Sequence, residues 1–557
     1  LELTASCIAF SPDGKLLAVG NLQRTSLQLF DVTTGKEVRR LRCWPSVMQL
    51  AFSPDGATIA AAKSEGTVTL QDARTGAPRP ASPDPGSGIG ELRFLDGGRA
   101  LLTAGSDVEA RDWRTGRVLR RYADPRHDSF CGLSLSPDGR VVAACDGNGD
   151  VRLADGCTGQ ALRTLKGQTV GVVRSLFSPD GRKLFTIGYD RTVRVWDAAG
   201  GKELHRLPAG KVNSLAQLAA SADGKLLAAS AAEGNSGRHA VRLWDVGSGK
   251  ELRNLPLEGP AWGLAFSPDG GLLAAAVLIP DGPKSGGAVA LWDVTTGGEV
   301  WKRNDLGGPV YCVAFSPDGR ALATGGEDRK VRLWEVASGK QRHAFEGHQG
   351  GVGPLAFSPD GRLLAASSPD APVFVWDVTG AAGRPPVPLS AAERGRLWDV
   401  LAGADAPAAF RAMRRLAARP GDAVALVRDR LRPAVAYDAG RLRRLLRDLD
   451  ADDFKVRERA TAELSRDAEQ VEGALREAQA GATAEARRRL DLVLRGLKGP
   501  SPERLRQLRS LEVLEWVGTP PARDALRSLA GGAPGTQLTR DAQAALRRLA
   551  GRETPSR

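Results

Sequence analysis

The sequence has few of the residues that most catalytic and metal sites use. It holds six cysteines, five histidines and two methionines in 557 residues. The cysteines form no CxxC pair, so neither a disulfide framework nor a zinc knuckle is indicated. The histidines never cluster in the sequence, and we expect no metal and no cofactor. No apolar run approaches the roughly 20 residues that a membrane-spanning helix needs.

Motifs of known enzymes are also missing. There is no P-loop, no GxSxG and no HExxH. The segment Asp146-Gly-Asn148-Gly-Asp150 places oxygen ligands at alternate positions, as calcium loops do, but it lacks the later glycine and glutamate of an EF-hand. We interpret it as a hairpin turn. The chain is therefore predicted not to be an enzyme.

Acidic residues are fewer than basic ones, and the formal net charge is +13. Residues 384–557 carry +10 of this charge and residues 1–383 carry +3. A basic tail raises the question of nucleic acid. However, its basic residues are almost all arginines interleaved with acids, as on solvated helix faces, and aromatic residues for base stacking are scarce there. We therefore do not expect nucleic-acid binding.

What the sequence does contain is a repeat. The tetrapeptide Ser-Pro-Asp-Gly or a variant of it recurs nine times with a period near 42 residues. A column of acidic residues follows these turns, in five copies directly after a tryptophan: Asp31, Asp72, Asp112, Asp155, Asp197, Asp245, Asp293, Glu335 and Asp377. A third column is a glycine turn such as Thr34-Gly35-Lys36. These turns account for much of the high glycine content.

Each unit is predicted to form four short strands. An apolar run such as 313–315 leads into a Ser-Pro-Asp-Gly turn, where proline presets φ and glycine supplies a positive φ. A second apolar run follows, and residues 331–334 then alternate between apolar and polar, as in a half-buried strand. A weaker fourth strand comes after the glycine turn. Four antiparallel strands at this spacing indicate one blade of a propeller.

These columns resemble the WD40 repeat family, in the bacterial style with FSPDG and TGK turns, over residues 1 to about 380. The resemblance implies a β-propeller. Nine units predict a nine-bladed ring, with an eight-bladed ring and one displaced unit as the alternative. In the family, a strand before the first unit usually closes the ring. That strand would precede Leu1, so we expect the true N-terminus to be missing, and the compartment, cytoplasmic or exported, is left open.

The family's structural set of His, Ser or Thr, Asp and Trp is poorly kept in this sequence. Only the last unit offers a whole set, which consists of His348, Ser367 or Ser368, Asp370 and Trp376. Asp190 and Asp328 hold the aspartate position in two other units. The resemblance implies a structural role for these residues.

After a proline-rich linker at 381–389, the periodicity changes from 2 to about 3.6, and an all-α domain is predicted over 390–557. The predicted helix starts are Ser390 with Glu393, Asp405 with Pro407, Pro420, Asp438, Asp453, Ser501 and Thr519. Trp398-Asp399 is interpreted as part of a helix. Residues 453–464 and 511–530 resemble HEAT-type repeats, so we expect a short α-solenoid or a helical bundle.

One face of the propeller is a candidate docking surface. The loops over 232–240 and 279–288 are longer than their counterparts and lie on the face of the second-to-third strand connections. Trp262 and Tyr311 begin first strands on that same face. We predict a protein or peptide site centred on these two aromatic residues, and its other members are Met48, Asn235, Arg238 and Lys284. The alternative is that both rings cover a core edge.

The main hypothesis is therefore a non-enzymatic scaffold for protein–protein interaction. The alternative is a regulatory or sensory module of a longer enzyme whose catalytic part precedes residue 1. A third hypothesis is an electrostatic nucleic-acid binder that uses the arginine-rich tail. The identity of the partner and the oligomeric state are left open.

Overall fold

The computed structural model describes residues 5–551 except 12, 22–25, 33, 35, 43–46, 54–55, 64–67, 74, 76–77, 80–90, 96–99, 105–107, 113–117, 123–129, 147, 157, 169–170, 210–216, 234–237, 280–285, 305, 347, 349, 354, 359, 369–370, 380–387 and 498. The chain divides into two compact units. The first comprises Leu1–Trp334 and Ala344–Trp376, and the second comprises Glu335–His343 and Asp377–Arg557.

The strands of the described residues form nine antiparallel sheets, and the strands within each sheet lie in chain order. Sheets 1 to 4 contain β1 Ala5–Phe10, β2 Leu16–Asn21, β3 Ser26–Asp31 and β4 Glu37–Arg42; β5 Val47–Phe52, β6 Thr58–Lys63, β7 Val68–Asp72 and β8 Pro78–Arg79; β9 Glu91–Leu95, β10 Ala100–Ala104, β11 Val108–Asp112 and β12 Val118–Arg121; and β13 Phe130–Leu135, β14 Val141–Asp146, β15 Val151–Asp155 and β16 Ala161–Leu165.

Sheets 5 to 8 also have four strands each, and sheet 9 has three described strands. They contain β17 Val172–Phe177, β18 Lys183–Gly188, β19 Thr192–Asp197 and β20 Glu203–Pro208; β21 Leu218–Ala220, β22 Leu226–Glu233, β23 Arg238–Asp245 and β24 Glu251–Leu257; β25 Ala261–Phe266, β26 Leu272–Ile279, β27 Gly286–Asp293 and β28 Glu299–Arg303; β29 Val310–Phe315, β30 Ala321–Gly326, β31 Val331–Glu335 and β32 Gln341–Phe345; and β33 Leu355–Phe357, β34 Leu363–Ser368 and β35 Ala371–Asp377.

The sheets follow one another side by side. The first strand of each sheet contacts the first strand of the next, from β1 through β33, and β1 contacts β34 of sheet 9. Short antiparallel sheets whose inner strands succeed one another in this way are the architecture of a β-propeller. The prediction of a propeller followed by a helical region is confirmed.

Tryptophans of the third strands fill the space between neighbouring sheets. Trp196, Trp244 and Trp292 are between 0 and 4% exposed. Trp244 lies in one cluster with Phe185 and other residues of sheet 5, and Trp292 lies in one cluster with Val241 and other residues of sheet 6. A buried aromatic side chain contributes a large apolar area, so this repeated column supplies much of the core between sheets.

The Ser-Pro-Asp-Gly turns share one hydrogen-bond network. In six of them and in the Ser-Ala-Asp-Gly variant at Ser221, the serine hydroxyl donates to the aspartate Oδ1 at 2.5–2.7 Å and accepts the backbone N–H of the residue five positions after the serine at 2.8–3.0 Å. The glycines have φ between 68° and 74°, as predicted. The serines are Ser11, Ser136, Ser178, Ser221, Ser267, Ser316 and Ser358. The buried hydroxyls of these serines hold the turn together, a role that the sequence pattern alone did not predict.

We predict that Ser221→Ala lowers the free energy of unfolding by about 1–3 kcal/mol, because the backbone N–H of Leu226 loses its acceptor, the hydroxyl of the buried Ser221, in a part-buried site. Urea unfolding followed by tryptophan fluorescence measures this loss. Lys225→Ala is the matched control, since the Lys225 side chain is 77% exposed beside the same turn. Equal stabilities for the two variants would contradict the role assigned to the serine.

The second unit is helical. Its described helices are α1 Ala391–Ala402, α2 Ala406–Ala417, α3 Pro420–Arg430, α4 Ala439–Asp448, α5 Phe454–Ala480, α6 Ala484–Gly496, α7 Pro502–Val517, α8 Pro520–Ala530 and α9 Gln537–Gly551. All seven predicted helix starts are correct, and Ser390 and Glu393 form a complete capping box. Trp398 lies in α1, as predicted, and is 6% exposed. The likeness to HEAT-type repeats stays a prediction.

Helix α7 carries buried charges at a spacing of three residues. Arg509, Glu512 and Glu515 are each 1–2% exposed. Arg509 donates two hydrogen bonds to Glu335 at 2.8 Å, and Arg342 donates to Glu512 at 2.7 and 2.8 Å. Two-pronged arginine–carboxylate pairs of this kind are strong because both charges are satisfied by directed bonds. All four residues of the Glu335–Arg509 and Arg342–Glu512 pairs belong to the second unit.

Glu335 is the one member of the acidic column that is not aspartate, and its longer side chain joins this ion-pair group. Burial raises its pKa, but the attraction of Arg342 and the hydrogen bonds from Arg509 outweigh that effect and lower the pKa to about 2. A carboxyl whose folded-state pKa lies below its ordinary value of 4.5 stabilises the fold above pH 4.5. That contribution is lost as the pH falls from 4.5 toward 2.

We predict that Glu335→Gln destabilises the helical unit by about 3–5 kcal/mol at pH 7, because the buried Arg509 loses its anionic partner and the buried Arg342 keeps only Glu512 of its two. The variant should also lose less stability than wild type between pH 5 and pH 3. Helical circular dichroism during thermal unfolding measures both effects. Glu299→Gln, at an exposed position, is the control. An unchanged pH dependence in Glu335→Gln would show that another group governs acid unfolding.

Candidate functional site

The first strands share an irregularity directly after their first described residue. In six of them one extra residue interrupts the pairing with the second strand, which is a β-bulge. The bulged residues, which we call the inner bulge column, are Ser6, Met48, Cys131, Val173, Trp262 and Tyr311. A bulge changes the direction of a side chain relative to the regular strand. The three first-strand residues predicted from the sequence therefore share one structural position.

Trp262 and Tyr311 lie in contact on the neighbouring strands β25 and β29. Their ring centroids are 5.0 Å apart and the ring planes are inclined by 17°. This is a stacked pair, worth about 0.5–1.5 kcal/mol beyond the area it buries. Gly351 lies against the Tyr311 ring, since a Cβ on this glycine would come within 2.9 Å of Cε2. Both rings are half-buried.

The pair lies on a face of the propeller that can be defined by backbone hydrogen bonds. The N–H of Glu327, in the connection between β30 and β31, donates to the carbonyl of Pro309, just before β29. The N–H of Tyr189 donates to Gly171 in the same way in sheet 5. We call this side, with its first-strand starts and second-to-third strand connections, the upper face. Trp262 and Tyr311 lie near the starts of their first strands and therefore on the upper face, which is the face predicted for them.

The carboxylate of Glu327 is hydrogen-bonded to the aromatic pair. The hydroxyl of Tyr311 donates to Oε2 of Glu327 at 2.9 Å. Burial, together with the hydrogen bond to Glu327 and its negative charge, raises the pKa of Tyr311 to about 12. The phenol is therefore a neutral hydrogen-bond donor at any physiological pH. The indole N–H of Trp262 is buried and has no acceptor in the described part of the chain.

The other residues of the predicted docking site are not brought to this pair by any described contact. Met48 shares the bulge column, but its side chain lies outside the described residues, as do Asn235 and Lys284. Arg238 is the first residue of β23 and is exposed. Their part in a site stays a prediction. Sequence reasoning missed Tyr189, which is 47% exposed on the upper face and follows the second strand directly.

The predicted structural set is described in part. His348 is 5% exposed, and its ring meets the ring of Trp376 edge-on at 5.8 Å. Asp370 lies outside the described residues. Asp190 and Asp328 form ion pairs with Arg194 and Arg332, four residues further on.

The two arginine pairs occur in units where the histidine of the family set is replaced by another residue. The position equivalent to His348 is held by the buried Gln168 in sheet 5 and by the buried Leu306 in sheet 8. Neither side chain supplies the histidine that the family set would offer to the aspartate. In both units the carboxylate is instead neutralised by an arginine on its own third strand, with exposed fractions of 2% for Arg194 and 15% for Arg332.

Within the described ranges, no group of three or more His, Cys, Asp or Glu side chains could hold a metal ion. The Asp146 side chain and Gly147 lie outside the described residues, so the interpretation of Asp146–Asp150 as a hairpin turn without calcium stays a prediction. No described helix is long and apolar enough to cross a membrane.

Comparison with known sequences bears on the repeat. The family model "WD domain, G-beta repeat" matches residues 35–72, 159–197, 302–335 and 339–377. These four segments are WD40 repeats. Each match ends at a member of the predicted acidic column, namely Asp72, Asp197, Glu335 or Asp377. The WD40 prediction is thus confirmed for these segments, and the bacterial style of the turns stays a prediction.

Three curated relatives share part of the chain. Transcription initiation factor TFIID subunit 5 of Caenorhabditis elegans is 28% identical over 216 residues, which is 38% of this chain and 32% of the relative. Protein groucho of Drosophila melanogaster is 30% identical over 122 residues, 21% of this chain and 17% of the relative. An uncharacterized WD repeat-containing protein of Synechocystis is 34% identical over 110 residues, 19% of this chain and 31% of the relative. The matches span about a third or less of each relative.

We predict that Tyr311 stays un-ionised through pH 11 and that Glu327→Gln lowers its pKa, since the variant removes the negative charge beside the phenolate. Nuclear magnetic resonance of ¹³C-labelled tyrosine measures the titration, because the chain has four tyrosines. Tyr311→Phe assigns the resonance. Identical Tyr311 titrations in wild type and Glu327→Gln would contradict the coupling of the two side chains.

Proposed function

We propose that this chain is a non-enzymatic scaffold that binds a protein or peptide partner on the upper face of its propeller. The observation that carries the proposal is the stacking of Trp262 on Tyr311 at the same bulge position of adjacent sheets. Tryptophan and tyrosine are the residues most enriched at the energetic centres of interfaces.

The other residues of the inner bulge column indicate that the binding surface is confined to part of the ring. The residues at Ser6, Cys131 and Val173 are small, so the large side chains of this column are restricted to Trp262, Tyr311 and Met48. A core-covering role would call for similar bulk around the whole ring. The buried indole N–H of Trp262 also supports a binding role, because an unpaired buried donor costs stability.

We propose further that the nine sheets are the nine blades of one closed ring. The contact between β1 and β34, together with the unbroken succession of first-strand contacts, supports nine blades over eight with a displaced unit. Residues 1–380, 381–389 and 390–557 are proposed as propeller, linker and HEAT-type helical domain. The end of β35 at Asp377 and the start of α1 at Ala391 agree with these limits.

The relatives are compatible with a scaffold. One of them is by name a subunit of a transcription initiation factor, so it works within a larger assembly. The structure offers less to the hypothesis of nucleic-acid binding through the arginine-rich tail. Several tail arginines are held in ion pairs and are not available to phosphates: Arg489, Arg504, Arg509 and Arg548.

We predict that Trp262→Ala with Tyr311→Ala weakens binding to the partner at least about tenfold, as loss of an interface centre does. The partner is first identified by affinity capture with the full chain and mass spectrometry. Its affinity for the purified variants is then measured by calorimetry. Leu162→Ser, which changes an exposed apolar residue of β16, is the control. Equal affinities for wild type and the double variant would refute the proposed site.

A further inference from the structure

Two arginines on the upper face have an unusual backbone conformation. Arg191 and Arg329 have φ of 65° and 68°, and they are the non-glycine residues of the described chain with positive φ. Both lie in the connection between the second and third strands, in sheets 5 and 8. In sheet 4 the same position is held by Gly149, with φ of 96°. Residues with a Cβ rarely adopt this conformation, so at these two positions the chain carries arginine where glycine would be less strained.

Backbone hydrogen bonds hold both arginines in turns of the upper face, Arg329 in sheet 8, which also carries Tyr311, and Arg191 in sheet 5, two sheets before the one that carries Trp262. The N–H of Arg191 donates to Gly188, and the N–H of Arg329 donates to Gly326. Glu327, the partner of Tyr311, lies two residues before Arg329. The exposed Tyr189 lies two residues before Arg191. Each arginine is therefore held at a fixed point of the upper face by its own turn.

The guanidinium groups are exposed and lack partners. Neither Arg191 nor Arg329 forms a side-chain hydrogen bond or an ion pair with any described residue, and both are exposed. The aspartate before each of them is already engaged. Asp190 accepts from Thr192 and pairs with Arg194, and Asp328 pairs with Arg332. Two positive charges are thus presented to solvent.

We propose that the upper face binds an acidic peptide segment, whose carboxylates pair with Arg191 and Arg329 while an apolar side chain packs on the Trp262–Tyr311 pair. This inference rests on the proposed function and names the class of partner. A guanidinium binds a carboxylate through two parallel hydrogen bonds, which fixes orientation as well as charge. The strained turns hold the two charges in place before binding, which reduces the ordering that the partner must induce.

A nucleic acid would also bring negative charge, but this face suits it less. Base stacking needs a free aromatic face. The Tyr311 ring has Trp262 on one face and Gly351 close to its edge, so less of its surface is free for a base to stack on. The exposed carboxylate of Glu327 lies at the same place and would repel a continuous phosphate backbone, whereas a peptide can place a neutral residue there.

The experiment measures fluorescence anisotropy of the full chain with twelve-residue peptides. Each peptide has one central phenylalanine and zero, two, four or six glutamates, with glutamines at the remaining positions. We expect the affinity to rise with the number of glutamates and to fall with added salt. Arg191→Gly with Arg329→Gly should weaken binding of the six-glutamate peptide about three- to thirtyfold. The same variant should bind the all-glutamine peptide as wild type does.

The substitutions are chosen so that a folding defect does not decide the result. Glycine suits a positive φ, so the double glycine variant should unfold at a temperature equal to or above that of wild type. Arg191→Lys with Arg329→Lys keeps the charge but loses the two-pronged geometry, so its affinity for the six-glutamate peptide should lie between that of wild type and that of the double glycine variant. Glu327→Gln should tighten binding of the six-glutamate peptide, because a nearby negative charge is removed.

Three results would overturn the inference. If peptides bind through Trp262 and Tyr311 but without dependence on glutamate number, the proposed docking site stands and the acidic partner is wrong. If a twelve-nucleotide oligothymidine binds more tightly than every peptide and depends on the same arginines, the ligand is a nucleic acid. If no peptide binds, the acidic class fails, and the capture experiment alone decides the proposed function.

Discussion

A buried serine hydroxyl sets the geometry of the turn between the first two strands in seven of the nine sheets. In seven described turns it donates to an aspartate and accepts the backbone N–H that begins the second strand. This fixes the register of the first two strands, and a slip by one residue would turn every apolar side chain to the wrong side. The aromatic residue of the third strand, such as Trp244, then meets the neighbouring sheet. The core between sheets therefore depends on the turn.

The two faces of the propeller are constrained to different degrees. The face of the serine turns repeats the same contacts from sheet to sheet, and a second repeated set binds Thr or Ser to an acidic-column aspartate, as in Asp31–Thr34 and Asp293–Thr296. On the upper face, the described residues show ion pairs in sheets 5 and 8 but no side-chain network that recurs in all the sheets. Its bulge column contains residues as different as Ser6 and Trp262. Sequence change is tolerated there, which is why binding residues can be acquired on that face without loss of the fold.

The repeat made local features predictable, but it did not reveal contacts between residues that lie far apart in the sequence. Sequence spacing predicts the turns, the strand order, the helix caps and the common position of Trp262 and Tyr311. Each of these features depends on residues within one unit or on the repeat period. The ion pair between Glu335 and Arg509 joins residues 174 positions apart, and no periodicity links them. One signal was present: Glu512 and Glu515 interrupt an otherwise apolar stretch of α7 at helical spacing. Tyr189 and the two left-handed arginines were missed because composition alone does not reveal backbone conformation.

The arginine content has two structural meanings in this protein. In the helical unit, Arg509 and Arg548 bind carboxylates through two nitrogens while buried or half-buried, a geometry that the single ammonium group of lysine does not offer. These two arginines are used for internal pairing and predict nothing about ligands. On the propeller, Arg191 and Arg329 are exposed and have a positive φ, which residues with a Cβ rarely adopt. An arginine that stabilises nothing within the described chain and strains its own turn is better explained by what it binds outside the chain.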